Sequence, residues 1–131
     1  MNSFDTHYNL ILKEGEKIIF TSKKRGLKPL LECIVKCSGR LHNASLTDKI
    51  VGGAGARLIV MSKMICRVRA GVISDNALRY LTDHSITAEW EIKTPAILRA
   101  DGRGICPMEE LSNRLPDDID YIFALLRHFS M

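Results

Sequence analysis

Apolar and polar positions change period several times along this chain, and each change marks an element. Tyr8 to Lys13 and Glu16 to Ser22 are two β-rich runs around Glu14-Gly15. They predict a β-hairpin in which the Gly supplies the positive φ of the turn. Gly26 breaks the pattern, and beyond it Leu27, Leu30, Leu31, Ile34 and Val35 recur at three-to-four spacing. With Pro29 in a first turn, that spacing predicts a helix to about Lys36. Ser45-Leu46-Thr47-Asp48 matches a capping box, with Thr47 as an alternative cap, and predicts a second helix running to about Met61. Ile65 to Val72 is β-branched and alternating, which predicts a central strand with Cys66 in the core. Ser74 is placed to cap a third helix, from Asp75 to about His84, with Ala77, Leu78 and Leu81 facing inward. Thr87 to Ile92 reads as the next strand. Arg99 to Gly104 reads as a glycine-punctuated loop, and Pro107 opens a helix ending near Leu115. A last amphipathic helix is expected from Asp117 to His128, carrying Ile119, Ile122, Phe123 and Leu126.

A hairpin followed by alternating helices and strands is the α/β pattern, with helices packed on a mixed sheet. The chain has 131 residues, 46% of them apolar and 26% charged. That is the size and composition of one globular domain, so residues 1–131 are taken as a single unit. No apolar stretch approaches the roughly 18 residues of a membrane span. Met1 to Thr6 is polar, with no apolar segment and cleavage site after it, so a cytoplasmic location is the expectation.

The net charge of +4 is modest and spread out. Its one dense run is Lys23-Lys24-Arg25, followed by Lys28. A solvated turn between strand and helix accounts for that run, while a phosphate or nucleic-acid contact stays open as its functional reading. No aromatic residues interleave with these charges, as single-strand binding requires.

Cysteine adds little chemistry. Cys33, Cys37, Cys66 and Cys106 form no C-x-x-C pair, and no His stands at zinc-ligand spacing from them. Cys33 and Cys37, four apart, would share the apolar face of the first helix. Cys106 would precede the first turn of a helix, where a thiol pKa is lowered, with Glu109 on the same turn. A nucleophile there also needs a positioned base, and neither His42 nor His84 belongs to a recognisable triad.

The second helix carries the most unusual composition. Gly52, Gly53 and Gly55 fall within one turn, although each interior Gly costs a helix about 0.5–1 kcal/mol relative to Ala. Close packing on the sheet or on a partner chain would explain them, and so would a ligand lying against bare backbone. Asp48 and Lys49 are expected at the start of this helix, Asp48 favoured there by the dipole and Lys49 in need of a carboxylate or an anionic ligand. Neither the phosphate-loop pattern nor a dinucleotide fingerprint is present.

Three segments taken together point further. Gly26-Leu27-Lys28-Pro29-Leu30-Leu31-Glu32, Asp48-Lys49-Ile50-Val51-Gly52 and Gly104-Ile105-Cys106-Pro107-Met108-Glu109 resemble the prokaryotic domain of unknown function 1893 over about residues 8 to 115. The resemblance implies a cytidine-deaminase-like fold, a three-layer α/β/α sandwich with a mixed β-sheet. Deaminases hold zinc with His or Cys at one helix start and Pro-Cys-x-x-Cys at the next, with a Glu moving protons. The corresponding helix starts here are expected to read Asp48-Lys49-Ile50-Val51 and Ile73-Ser74-Asp75-Asn76-Ala77. Neither offers a thiolate or imidazole, so no metal and no cofactor is expected. The chain departs from the family pattern at Gly53, where a longer basic side chain is usual. The helix expected before the hairpin is also missing, which would expose a sheet surface and favour self-association.

The leading expectation is a binding protein holding a small polar or nucleotide-like ligand at two helix N-termini, lined by Asp48, Lys49, Gly52, Gly53, Ser74 and Asp75, with Cys106 and Glu109 as further candidates. One alternative is an enzyme without zinc that uses Cys106 as nucleophile or Asp48 as general base on a nucleotide derivative, with Glu109 as a third catalytic candidate. The other is an interaction scaffold in which the glycine stretch is a contact between two copies.

Overall fold

The structure, a computed structural model, describes residues 8–24, 26–37, 39 and 41–95. Eight elements follow one another: β1 (Leu10–Glu14), β2 (Lys17–Ser22), α1 (Lys28–Cys37), β3 (Ala44–Val51), α2 (Gly53–Ser62), β4 (Ile65–Ser74), α3 (Asp75–Asp83) and β5 (Thr87–Thr94). The loop expected at Arg99 to Gly104 and the two helices after it lie outside the described residues.

The five strands form one mixed sheet in the order β2-β1-β3-β4-β5. The hairpin partners β1 and β2 are antiparallel, and Gly15 turns between them at φ +61°. β1 is also antiparallel to β3, whereas β3, β4 and β5 run parallel. Parallel neighbours require crossovers, and α2 and α3 supply them. α2 lies against both α1 and α3, so the three helices form one layer on the sheet. This is an α/β fold consistent with a three-layer α/β/α sandwich.

The core is the apolar face of the sheet under those helices. Leu10, Leu12, Leu46, Val68 and Ala70 from the strands meet Leu30, Leu58, Ile59 and Leu81 from the helices, all buried. Cys33 and Cys37 belong to the same cluster, as their shared helix face predicts. Ala77 and Leu81 of α3 are buried, and Leu78 packs at the margin.

Three expectations are corrected. Residues 45–48 do not cap a helix, because Ala44–Val51 is a central strand between β1 and β4. Alternation decides it. Ala44 and Leu46 point into the core from between two neighbouring strands, a burial that a helix turn here would forfeit. Cys66 is exposed, not core. It stands beside the inward-facing Ile65 at the start of β4, with its Sγ 3.6 Å from the Ala44 carbonyl oxygen. Val35 is 62% exposed, although its spacing placed it on the apolar face of α1.

One glycine has a role that spacing could not reveal. A Cβ on Gly71 would fall 2.6 Å from the Lys49 carbonyl oxygen across the β3–β4 pair. The close approach of those two strands therefore requires glycine at this position.

Candidate functional site

The topology gathers every described helix start on one edge of the sheet. α2 and α3 each begin directly after a parallel strand, at the carboxyl ends of β3 and β4. β1 runs antiparallel to β3, and Leu10 at its start pairs with Asp48 near the end of β3. Ser22, the last residue of β2, pairs with Leu10 and leads into α1. In open α/β sheets the carboxyl edge of the strands is where ligands bind.

Asn9 knits the hairpin ends to β3 on this edge. Its backbone N–H donates to the Ser22 carbonyl at 2.8 Å, and its own carbonyl accepts from the Lys49 N–H at 3.2 Å. Its side-chain amide donates to the carbonyls of Lys23, at 2.7 Å, and Lys24, at 3.3 Å. One asparagine thus ties the basic run after β2 to Lys49. Sequence reasoning missed Asn9, because nothing in a polar residue just before a strand announces four partners far along the chain.

Four lysines stand at this edge or at the helix start beside it: Lys23, Lys24, Lys28 and Lys49. Lys24 Nζ donates to Glu32 at 2.9 Å. That bond, reinforced by the charges of Lys24, Lys28 and Lys36, holds the Glu32 carboxyl below its ordinary range. The Lys23 ammonium lies 5.8 Å from the Tyr8 ring centre. Lys28 and Lys49 form no ion pair with another described residue.

The two crossover helices begin with different chemistry. α3 is capped by its own sequence: buried Ser74 Oγ accepts from the Ala77 N–H at 3.1 Å, and Asp75 adds an acid in the first turn. Asp75 also lies 4.0 Å from Lys93. α2 has Gly52 at its N-cap, in extended backbone, with no side-chain cap and no acid in its first turn. Gly53 and Ala54 follow as its first residues, both buried. Gly55 faces α1, where an added Cβ would meet Leu30 at 3.6 Å and Leu27 at 3.8 Å, which is ordinary contact. A methyl group would fit there, so packing against α1 does not by itself require glycine at position 55.

Asp48 and Lys49 are near the helix starts without belonging to one. Asp48 sits in register between Leu10 and Ala70, both buried, on the helix-covered face. Desolvation pushes its half-buried carboxyl up to about 7, against the opposing pull of the Ile50 and Lys49 backbone N–H groups. The Ile50 N–H reaches its Oδ1 at 3.5 Å. A helix dipole would have moved this acid the other way, so the strand placement reverses the sign of the expected shift. Burial, then Cys37, then the Asp48 charge push the Cys33 thiol up to about 12. Cys33 stays a protonated core residue.

The structure thus brings Lys49, Gly52, Gly53, Ser74 and Asp75 to one edge, and sets Asp48 beneath the helices beside it. Cys106 and Glu109 lie outside the described residues. Among the described residues, no group of three or more His, Cys, Asp and Glu side chains is arranged to hold a metal ion. No helix among them is long and apolar enough to cross a membrane.

An open mixed α/β sheet of this order, with its helix starts on one edge, has solved relatives. A crystal structure of a DUF1893 family protein (TM1506) from Thermotoga maritima is 31% identical in sequence and superposes with a TM-score of 0.82. The match covers 93% of this chain and 81% of that one. The family model described as TM1506, domain of unknown function (DUF1893), matches residues 4–130. The chain belongs to this DUF1893 family. No match is found among curated proteins.

Proposed function

We propose that this chain is a binding domain for a small anionic ligand of the phosphate-bearing, nucleotide-like kind, held at the carboxyl edge of β3 and β4. The observation that carries the reading is the convergence of three helix N-termini and four lysines on that one side of the sheet. Helix starts favour anions through their dipoles and backbone N–H groups. Lys28 and Lys49 add charge that no described acid pairs with. The binding needs no resident zinc, in keeping with helix starts that carry neither thiolate nor imidazole. The hairpin followed by strict helix–strand alternation supports a kinship with cytidine-deaminase-like folds, which place their ligands at helix starts.

A thermal-shift titration tests the reading, with inorganic phosphate, AMP and ADP as probes. A probe at 100 times its dissociation constant stabilises the domain by about 2.7 kcal/mol, or several degrees. The expected result is such a shift with at least one phosphate-bearing probe, reduced in Lys28→Ala/Lys49→Ala. A flat response to all three, or a shift untouched by the double substitution, overturns the proposal.

A second reading has one specific observation behind it. Burial raises the Asp48 carboxyl to about 7, within the range that suits a general base, and the residue sits beside the α2 and α3 starts. On that reading Asp48→Asn abolishes turnover of a bound nucleotide derivative and leaves its binding intact.

A further inference from the structure

β5 is the outermost strand of the sheet among the described residues, and its composition is unusual for an edge. Glu89 to Lys93 are all exposed, Trp90 at 43% and Ile92 at 59%. Strand alternation puts Ala88, Trp90 and Ile92 on one side and Glu89, Glu91 and Lys93 on the other. Ile92 pairs with Val72, which pairs with Ile50, itself 56% exposed. An apolar row therefore crosses three strands and stops at the sheet edge.

Charges on an edge strand commonly discourage pairing. Here their spacing favours one register of β5 against a copy of itself. In antiparallel self-pairing a two-fold axis passes through a residue position, and each choice opposes different side chains. An axis at Trp90 sets Glu89 against Glu91 twice. An axis at Glu89 opposes that residue to itself, and so does an axis at Glu91, where two Glu89–Lys93 pairs are offset by Glu91 against Glu91 at the centre. An axis at Ile92 pairs Glu91 with Lys93 of the second copy twice, and no like charges face each other. Opposite charges directly across a strand pair stabilise it, and like charges destabilise it. The same axis sets Ile92 against Ile92 of the second copy. The row Ile50–Val72–Ile92 then continues unbroken into its own mirror order, with Trp90 diagonal to Ile92 of the second copy. Charge selects this register, and the apolar row stays continuous in it.

We propose that two copies of this chain associate through β5, antiparallel about an axis at Ile92, to form one continuous sheet. The contact lies on the outer strand and adjoins the ligand edge, where Lys93 also stands 4.0 Å from Asp75, but its self-pairing requires no bound ligand.

Sedimentation velocity of the full chain over a concentration series tests the pairing. The wild type is expected to form a dimer. Glu91→Lys and Lys93→Glu, each of which opposes like charges, should weaken it roughly tenfold or more. Glu91→Lys/Lys93→Glu should restore it. A wild type that stays monomeric, a dimer that survives both single substitutions, or a double variant that stays monomeric overturns the proposal. Ile92→Cys gives a readout independent of those charges. It should form a covalent dimer on mild oxidation where Glu89→Cys and wild type do not, and no such selectivity overturns the register.

Discussion

The two edges of the sheet are finished in different ways. At the far edge the C-termini of α2 and α3 are closed by the chain itself. Lys63 ends α2 in the left-handed region at φ 56° and donates to the Val60 carbonyl. Around the end of α3, His84, Ser85 and Ile86 donate backbone N–H groups to the carbonyls of residues 80–82. His84 Nδ1 lies 2.8 Å from the Tyr80 carbonyl oxygen. Ser62 Oγ donates to the Ile59 carbonyl at 2.6 Å. At the carboxyl edge only α3 brings a capping side chain of its own among the two crossover helices. The α2 start has glycine where a cap would stand, and lysines gather on the same edge. The far edge is closed by backbone and hydroxyl hydrogen bonds, whereas the near edge gathers lysines and a glycine N-cap.

The largest effect expected from breaking this arrangement is at Gly71. Gly71→Ala puts a Cβ against the Lys49 carbonyl oxygen and should cost about 2–3 kcal/mol, read by denaturant unfolding. An unchanged midpoint would mean that glycine does not set the β3–β4 spacing that holds the α2 and α3 starts side by side.

Asp48 sharpens the comparison through pH. Its carboxyl is ordinary at 3.8 in the unfolded chain and raised to about 7 on folding, so the native state binds the extra proton. Stability is therefore fullest below the unfolded value and falls as pH rises through that window, by on the order of 2–4 kcal/mol at most, less in proportion to residual solvation. Asp48→Asn should flatten the pH profile and raise stability at pH 8. A slope that persists in the variant assigns the titration to another group.

The smallest effects separate the two helix starts directly. Ser74→Ala should lose about 1 kcal/mol, the worth of an N-cap, measured by melting. Gly55→Ala should stay within about 0.5 kcal/mol of wild type, because its new Cβ meets only ordinary contacts. A large loss at Gly55 would mean that the glycine stretch serves packing alone.

Most of the framework was legible because it depends on local signals. The hairpin at Gly15, α1 behind Pro29, the Ser74 cap and the strands β4 and β5 were all readable from period and turn chemistry. β3 was not, and it decides where the site lies. Ser45 and Asp48 happen to satisfy a capping-box pattern, while the alternation of Ala44 and Leu46 is short and interrupted. Only the neighbours β1 and β4, remote in sequence, make a strand the better solution. The consequence for Asp48 was a reversed pKa direction. Asn9 and Gly71 were illegible for the same reason, since each is defined by a partner across a strand pair.

Amide chemical shifts of the labelled protein titrated with ADP map where a ligand sits on the domain. Saturable shifts are expected only at the carboxyl edge, at Asn9, Lys28, Lys49 and Gly52 to Gly55, with the far edge at Lys63 and His84 unmoved. Saturable shifts centred on the far edge, or none at the carboxyl edge at any ADP concentration reached, would contradict the proposed site.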